Sequence, residues 1–244
     1  MKKLLLSAGL LVGFYPLKAQ VVAASDTSLL LSAVRAARQR YQAAAPEPRL
    51  VNGVAYGNNA PSYVRGRPFF QFSDPQLGTL DYDGQHFAGV ALLYEQVQDQ
   101  VLLYGAAQAE PVQLIRQKVS GFELAGHRFV HLPADAAGVV AEGYYDVVVA
   151  GPTQLLAKRA KKLEASTGGY GLKGEYEEVT RFFIQRPTGF YEVATLRQVL
   201  AALPDKQTEL QAHARRNRLR LSADSREESL ESLVREYNTL TNKQ

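Results

Sequence analysis

Turn-forming dipeptides recur along this chain at short intervals, and they limit what it can fold into more than any other feature. Asp83-Gly84 separates residues 79–82 from 86–94, and Ala125-Gly126 separates 121–124 from 127–132. Asp-Gly and Asn-Gly favour two-residue hairpins because both positions tolerate positive φ. The flanking runs are rich in β-branched and aromatic residues, which suit a half-buried pleated surface. Further runs of this kind lie at 101–104, 112–119, 144–149, 154–163, 175–184 and 190–193. A polar turn near 98–100, Gly151-Pro152 and a glycine-rich loop at 168–174 punctuate them. Asn52-Gly53, between Leu50-Val51 and residues 54–56, reads as one more hairpin. Short strands joined this tightly predict an antiparallel meander closed into a sandwich, roll or barrel-like form.

The period changes on either side of this block. Residues 26–45 read as a helix, with Ser25 or Asp26 as cap, Leu30, Val34, Ala37 and Tyr41 at helical spacing, and Pro46 and Pro48 ending it. Thr195 can cap residues 196–203, whose Leu196, Val199, Leu200 and Leu203 make one stripe. Pro204-Asp205 opens a second helix to about 217. Ser225 and Glu228 have capping-box spacing before a third, which carries Leu230, Leu233, Val234 and Tyr237. The fold class is therefore α+β. A β-rich domain occupies 49–194, a helix and linker precede it at 20–48, and helices at 195–244 pack on or beside it.

The first nineteen residues have the layout of a cleavable signal peptide. Lys2 and Lys3 precede an uncharged apolar stretch from 4 to 15, and Leu17-Lys18-Ala19 ends in the small residue that signal peptidase prefers. That stretch is shorter than the roughly 20 residues that span a bilayer. Cleavage removes Lys2, Lys3 and Lys18, so the net charge falls from +4 to +1. Bulk charge then gives no reason to expect nucleic acid as a partner. The chain has no cysteine, which excludes disulfides, thiolate catalysis, cysteine-based metal sites and a lipid-modified N-terminal cysteine. The expected location is the periplasm or the periplasmic face of the outer membrane, with no transmembrane segment after signal cleavage. A membrane barrel would need longer strands of alternating polarity.

Nucleophile motifs such as Gly-x-Ser-x-Gly, Ser-x-x-Lys and His-Glu-x-x-His are absent. Acid–base chemistry would have to come from separate strands, with Asp81, Asp83, His86 and His127 as candidates. Asp81 and Asp83 flank Tyr82 as a carboxylate pair could, although the Asp-Gly turn accounts for Asp83 by itself. His127 and His131 lie in a strand-like setting, where residues four apart are roughly 13 Å apart, too far to share a metal ion. No metal or other cofactor is expected. Lys158, Arg159, Lys161 and Lys162 form a basic run that fits either an anion-binding face or an edge strand guarded by lysines. Arg215, Arg216, Arg218 and Arg220 form another, answered in sequence by Asp224, Glu227, Glu228 and Glu231. Phe69, Phe70, Phe182 and Phe183 fit a core or an aromatic binding face.

The order of several features resembles a group of secreted Bacteroidota proteins to which no activity is assigned. The features are the helix ending near Tyr41, Leu50-Val51-Asn52-Gly53 with Tyr56, and Arg67-Pro68-Phe69-Phe70. Tyr82-Asp83-Gly84-Gln85, the strand from 90 to 94 and Pro204-Asp205-Lys206 complete the set. The group has His where Arg67 stands and an acid near Ala55, so this chain departs from it at polar positions. The resemblance implies export and a single continuous unit, and it implies no catalytic site. The expected function is non-catalytic binding or a structural part of the envelope, with an envelope protein or glycan as partner. An envelope hydrolase and a binder of anionic glycan or lipid head groups are the alternatives.

Overall fold

The computed structural model describes residue 50 and residues 53–57, 60–105, 110–168 and 171–242. The expected signal peptide at 1–19 and the expected helix at 26–45 lie outside the described residues. In chain order the strands are β1 (Val54–Ala55), β2 (Val64–Arg65), β3 (Gln76–Tyr82), β4 (Gln85–Glu95), β5 (Gln100–Tyr104) and β6 (Val112–Gln113). There follow β7 (Val119–Leu124), β8 (His127–Leu132), β9 (Gly143–Val149), β10 (Gln154–Gly168), β11 (Gly171–Arg186) and β12 (Gly189–Val193). Three helices end the chain: α1 (Leu196–Ala202), α2 (Gln207–Arg216) and α3 (Arg226–Thr241).

The strands form one sheet in the order β1-β6-β5-β4-β3-β7-β8-β9-β10-β11-β12, antiparallel throughout this path, with β2 added parallel to β11. The meander runs outward from β3 to β6, returns past a turn of 3-10 helix at Arg116–Lys118, and resumes on the other side of β3. Asp83 and Gly84 take φ of 51° and 74°, the paired positive values of a tight hairpin. The Lys161 N–H donates to the Gln96 carbonyl, so the sheet rolls until the end of β4 meets β10.

The inner face of the roll carries Leu80, Tyr82, Leu92, Tyr94, Phe122 and Phe129, all buried. Phe122 and Phe129 stack with ring centroids 4.7 Å apart, and Tyr94 leans on Phe129 at 5.1 Å. A second apolar cluster joins Val149, Leu155, Phe182, Ile184 and Val193 to the three helices. Leu230, Leu233, Val234 and Tyr237 supply the α3 contribution, four buried residues at the spacing of one helical face. Thr195 and Gln198 close a capping box on α1. Phe69, Phe70, Phe182 and Phe183 are all buried, which makes them core residues. Among the described residues no helix is long and apolar enough to cross a membrane.

Three local expectations are corrected. Residues 112–119 are split by the 3-10 turn rather than forming one strand. The loop expected at 168–174 is mostly strand, since pairing of β10 with β11 continues out to Gly168 and Gly171. The hairpin expected at Asn52-Gly53 falls partly outside the described residues; Val54–Ala55 pairs with β6, and Leu50 is buried in the inner core. Ser225 makes no cap bond to α3, because its hydroxyl donates to the Arg220 carbonyl at 2.7 Å.

Two consequences are measurable. A Cβ on Gly78 would lie 2.1 Å from the Glu123 carbonyl oxygen, so Gly78→Ala must push β3 from β7. Urea denaturation should show a loss of about 1–3 kcal/mol. Glu95 is buried, and burial raises its pKa against the lowering effect of the Gln98 and Val97 N–H groups. A raised folded-state pKa gives a contribution present at acid pH and lost as pH rises through it. The stability of the wild type relative to Glu95→Gln should therefore decline from acid towards neutral pH, as read by denaturation at each pH.

Candidate functional site

The outer face of the roll carries open grooves across β4, β3, β7 and β8. Register places Ala88, Thr79, Glu123 and Arg128 in one row across these strands, and His86, Asp81, Gly121 and Val130 in the next. Both neighbours of β3 are bulged here. Gly89 is the extra residue in β4, at φ 68°, and Ser120 is the extra residue in β7. A bulge twists its strand and re-aims side chains, which is why bulges accompany binding and catalytic sites. The result is two grooves, of about 440 and 400 Å³, that share Thr79, Glu123 and Arg128 and so form one trough. Gly121 lines the second groove with no side chain to fill it.

Glu123 and Arg128 stand directly opposite each other on β7 and β8. Opposite charges so placed normally pair. Here neither side chain makes an ion pair or hydrogen bond among the described residues, and both residues are exposed. A carboxylate and a guanidinium are thus both available to a ligand. Thr79, Ser120, Glu123 and Arg128 were not singled out by the sequence. The register that unites them depends on two bulges, and no turn motif marks either one.

The four acid–base candidates do not converge. Asp81 and His86 do meet in the trough, with Asp81 Oδ1 at 2.7 Å from His86 Nδ1, and their side chains are 52% and 61% exposed. The Ser120 hydroxyl donates to the Asp81 backbone carbonyl at 3.3 Å rather than meeting His86. Asp83 sits in the turn and pairs with Lys118 at 3.1 Å. His127 faces the other side of the sheet, where its ring meets Phe70 edge-on at 5.1 Å. Its Nδ1 lies 2.7 Å from Asp146 Oδ2 and its Nε2 3.1 Å from Gln71 Nε2. Asp146 Oδ2 accepts a hydrogen bond from the Nδ1–H, which leaves Nε2 to accept from the Gln71 amide. Gln71 holds a φ of 52°, an uncommon conformation for a residue with a side chain. His131 lies 3.5 Å from Glu142, so the two histidines have separate partners.

The basic run on β10 is largely engaged in the fold. Lys158 donates to Asp99 at 2.6 Å and to the Tyr144 carbonyl at 3.1 Å. Burial pushes its pKa down, against the pull of Asp99. Arg159 donates to Asp146 at 2.7 Å and takes Glu227 of α3 by both terminal nitrogens, at 3.0 and 2.6 Å. Burial works to lower the Arg159 pKa, but the Glu227 and Asp146 bonds outweigh it and hold the guanidinium more firmly charged. Lys161 donates to the Phe69 carbonyl and pairs with Glu178. Lys162 is exposed. β9 pairs with β10 only from Leu155 to Ala157, so this half of β10 is a partial edge, as the lysines suggested. Among the described residues no group of three or more His, Asp or Glu could hold a metal ion. Comparison with protein-family models, with curated proteins and with solved structures returns no match to this chain.

Asp146 holds both Arg159 and His127 from a position only 2% exposed. Asp146→Ala should cost about 1–3 kcal/mol in denaturant unfolding, because it leaves Arg159 Nε and His127 Nδ1 without their acceptor while Glu227 keeps the guanidinium paired. Glu227→Ala leaves Arg159 on Asp146 and removes a partner that is 38% exposed. Its cost should stay near about 1 kcal/mol.

Proposed function

We propose that this chain is an exported protein of the cell envelope that binds a short stretch of glycan in the trough across β4, β3, β7 and β8, without cleaving it. The uncoupled Glu123–Arg128 pair carries this reading. A carboxylate accepts two hydroxyl donors and a guanidinium donates to two oxygens, the bidentate contacts that vicinal sugar hydroxyls make. The imidazole of His86 and the hydroxyl of Thr79 add a contact of each kind. Four strands at roughly 4.8 Å spacing give a row of about 14 Å, the reach of a few sugar rings. Export rests on the leader-like residues 1–19 and on the resemblance to secreted proteins.

A second reading has one observation behind it. Asp81 and Glu123 are diagonal neighbours on β3 and β7, a relation that puts such positions about 7–8 Å apart. That is within the range for an acid–base pair in inverting glycoside hydrolysis. Both residues are exposed, whereas the acid in such a pair is held in apolar surroundings. Binding without cleavage is therefore the reading the geometry favours.

Titration calorimetry with oligosaccharides released from the host envelope tests it. Glu123→Gln with Arg128→Ala should weaken binding by at least about tenfold at unchanged thermal stability. Loss of two bidentate contacts accounts for that much. Absence of binding to every envelope oligosaccharide would refute the glycan reading. New reducing ends that disappear in Asp81→Asn would establish the hydrolase instead.

A further inference from the structure

Arg215, Arg216, Arg218 and Arg220 are balanced in sequence by Asp224, Glu227, Glu228 and Glu231, and the fold removes half of that balance, leaving Asp224 and Glu228 exposed. Glu227 is taken by Arg159, and Glu231 is held by Arg235 at 2.7 Å within α3. Among the described residues none of the four guanidiniums makes an ion pair or a hydrogen bond, and all four arginines are exposed. This contrasts with the run on β10, where Lys158, Arg159 and Lys161 have partners within the protein.

The segment that displays these arginines is pinned. The Leu219 N–H donates to the Ala214 carbonyl at 3.0 Å, and the Arg218 N–H to the Arg215 carbonyl at 3.2 Å. The Arg220 carbonyl accepts from both the Ser225 and Ser229 hydroxyls, each at 2.7 Å. Leu219 and Leu221 pack against the helical core and alternate with the arginines, so Arg218 and Arg220 are turned outward. A fixed backbone means that little order has to be imposed when the charges meet a partner.

We propose that these four arginines are a docking surface for an anionic bilayer, with the lipid phosphates as the groups they contact. They stand at the end of a helix and on the turn after it, outside the trough on β3. A plane of phosphates can meet such an exposed turn along its whole length. Each basic residue near an anionic surface strengthens association by roughly fivefold. The effect fades with salt over a Debye length of about 10 Å at 0.1 M. The inference is independent of any ligand in the trough.

Cosedimentation of the purified protein with phosphatidylcholine vesicles, with and without phosphatidylglycerol, tests it. Binding should require phosphatidylglycerol and weaken steeply with salt. Arg216→Glu with Arg218→Glu should lower it by at least about tenfold, at an unchanged urea midpoint. Arg216→Lys with Arg218→Lys should retain most of it. Lys162→Glu with Lys173→Glu changes net charge equally on the β10–β11 hairpin and should leave binding near wild type. Equal loss in that control would overturn the proposal in favour of bulk charge. Failure to bind anionic vesicles would overturn it outright, and retained binding to dextran sulfate in that case would assign the arginines to a soluble polyanion.

Discussion

The buried ion pair between Asp146 and Arg159 decides how the two halves of this molecule share one sheet. The inner apolar face does not run unbroken from β3 to β12. It is divided into a cluster inside the roll and a cluster under the helices. Asp146, opposite Phe129 on one side and Ala157 on the other, stands where the two meet. Removing a carboxylate from water costs several kcal/mol even after relaxation, and only close partners offset it. Asp146 has two, His127 from the roll and Arg159 from β10. Arg159 in turn reaches Glu227 in the first turn of α3. Helix docking, the β9–β10 pairing and the closed end of the roll therefore have to be correct together.

A second polar knot works in the same way a few residues along. Asp99 accepts from Lys158, from the Tyr94 hydroxyl and from the Tyr144 N–H. Burial, and then Asp99, push the Tyr94 pKa well above its usual value, so this phenol stays a proton donor under all ordinary conditions. Tyr94 also packs at an angle against the rings of the aromatic cluster. Its ring thus serves apolar packing while its hydroxyl satisfies a carboxylate, a combination that a Phe could not provide. Such networks specify one arrangement more than they add stability, because a partly made version would leave charges buried without partners.

How far the sequence revealed all this depended on whether the signal was local. Asp83-Gly84 and Ala125-Gly126 announced their hairpins because φ of a turn is a property of two residues. Leu230, Leu233, Val234 and Tyr237 announced the buried face of α3 for the same reason. Ser225 had the spacing of a cap, but the choice between the α3 N–H groups and the Arg220 carbonyl was made by how the preceding turn folds. The basic run on β10 was visible as charge alone. Its partners lie at Asp99, Asp146, Glu178 and Glu227, distances along the chain that no local pattern encodes. The trough was hidden more deeply. Asp81 and His86 were found as residue types, yet Glu123 and Arg128 became relevant only through strand order and two bulges.

The two faces of the sheet consequently carry different obligations. At the seam every charged group among Asp99, Asp146, Lys158 and Arg159 is consumed by another, so none can be diverted to a ligand without loosening it. On the outer face the requirement is reversed. Gly78 and Gly121 bring β3, β7 and β8 so close that an added Cβ would strike the neighbouring carbonyl oxygen, and that closeness supports Glu123 and Arg128 from below without any bond to their charges. A rigid backbone can hold two opposite charges side by side and leave both free, where a mobile loop would let them collapse onto each other. Preorganisation of this kind lowers the entropic cost of taking up a ligand. It also explains how a rigid inner face, with Asp146 and Arg159 engaged, supports the open outer one.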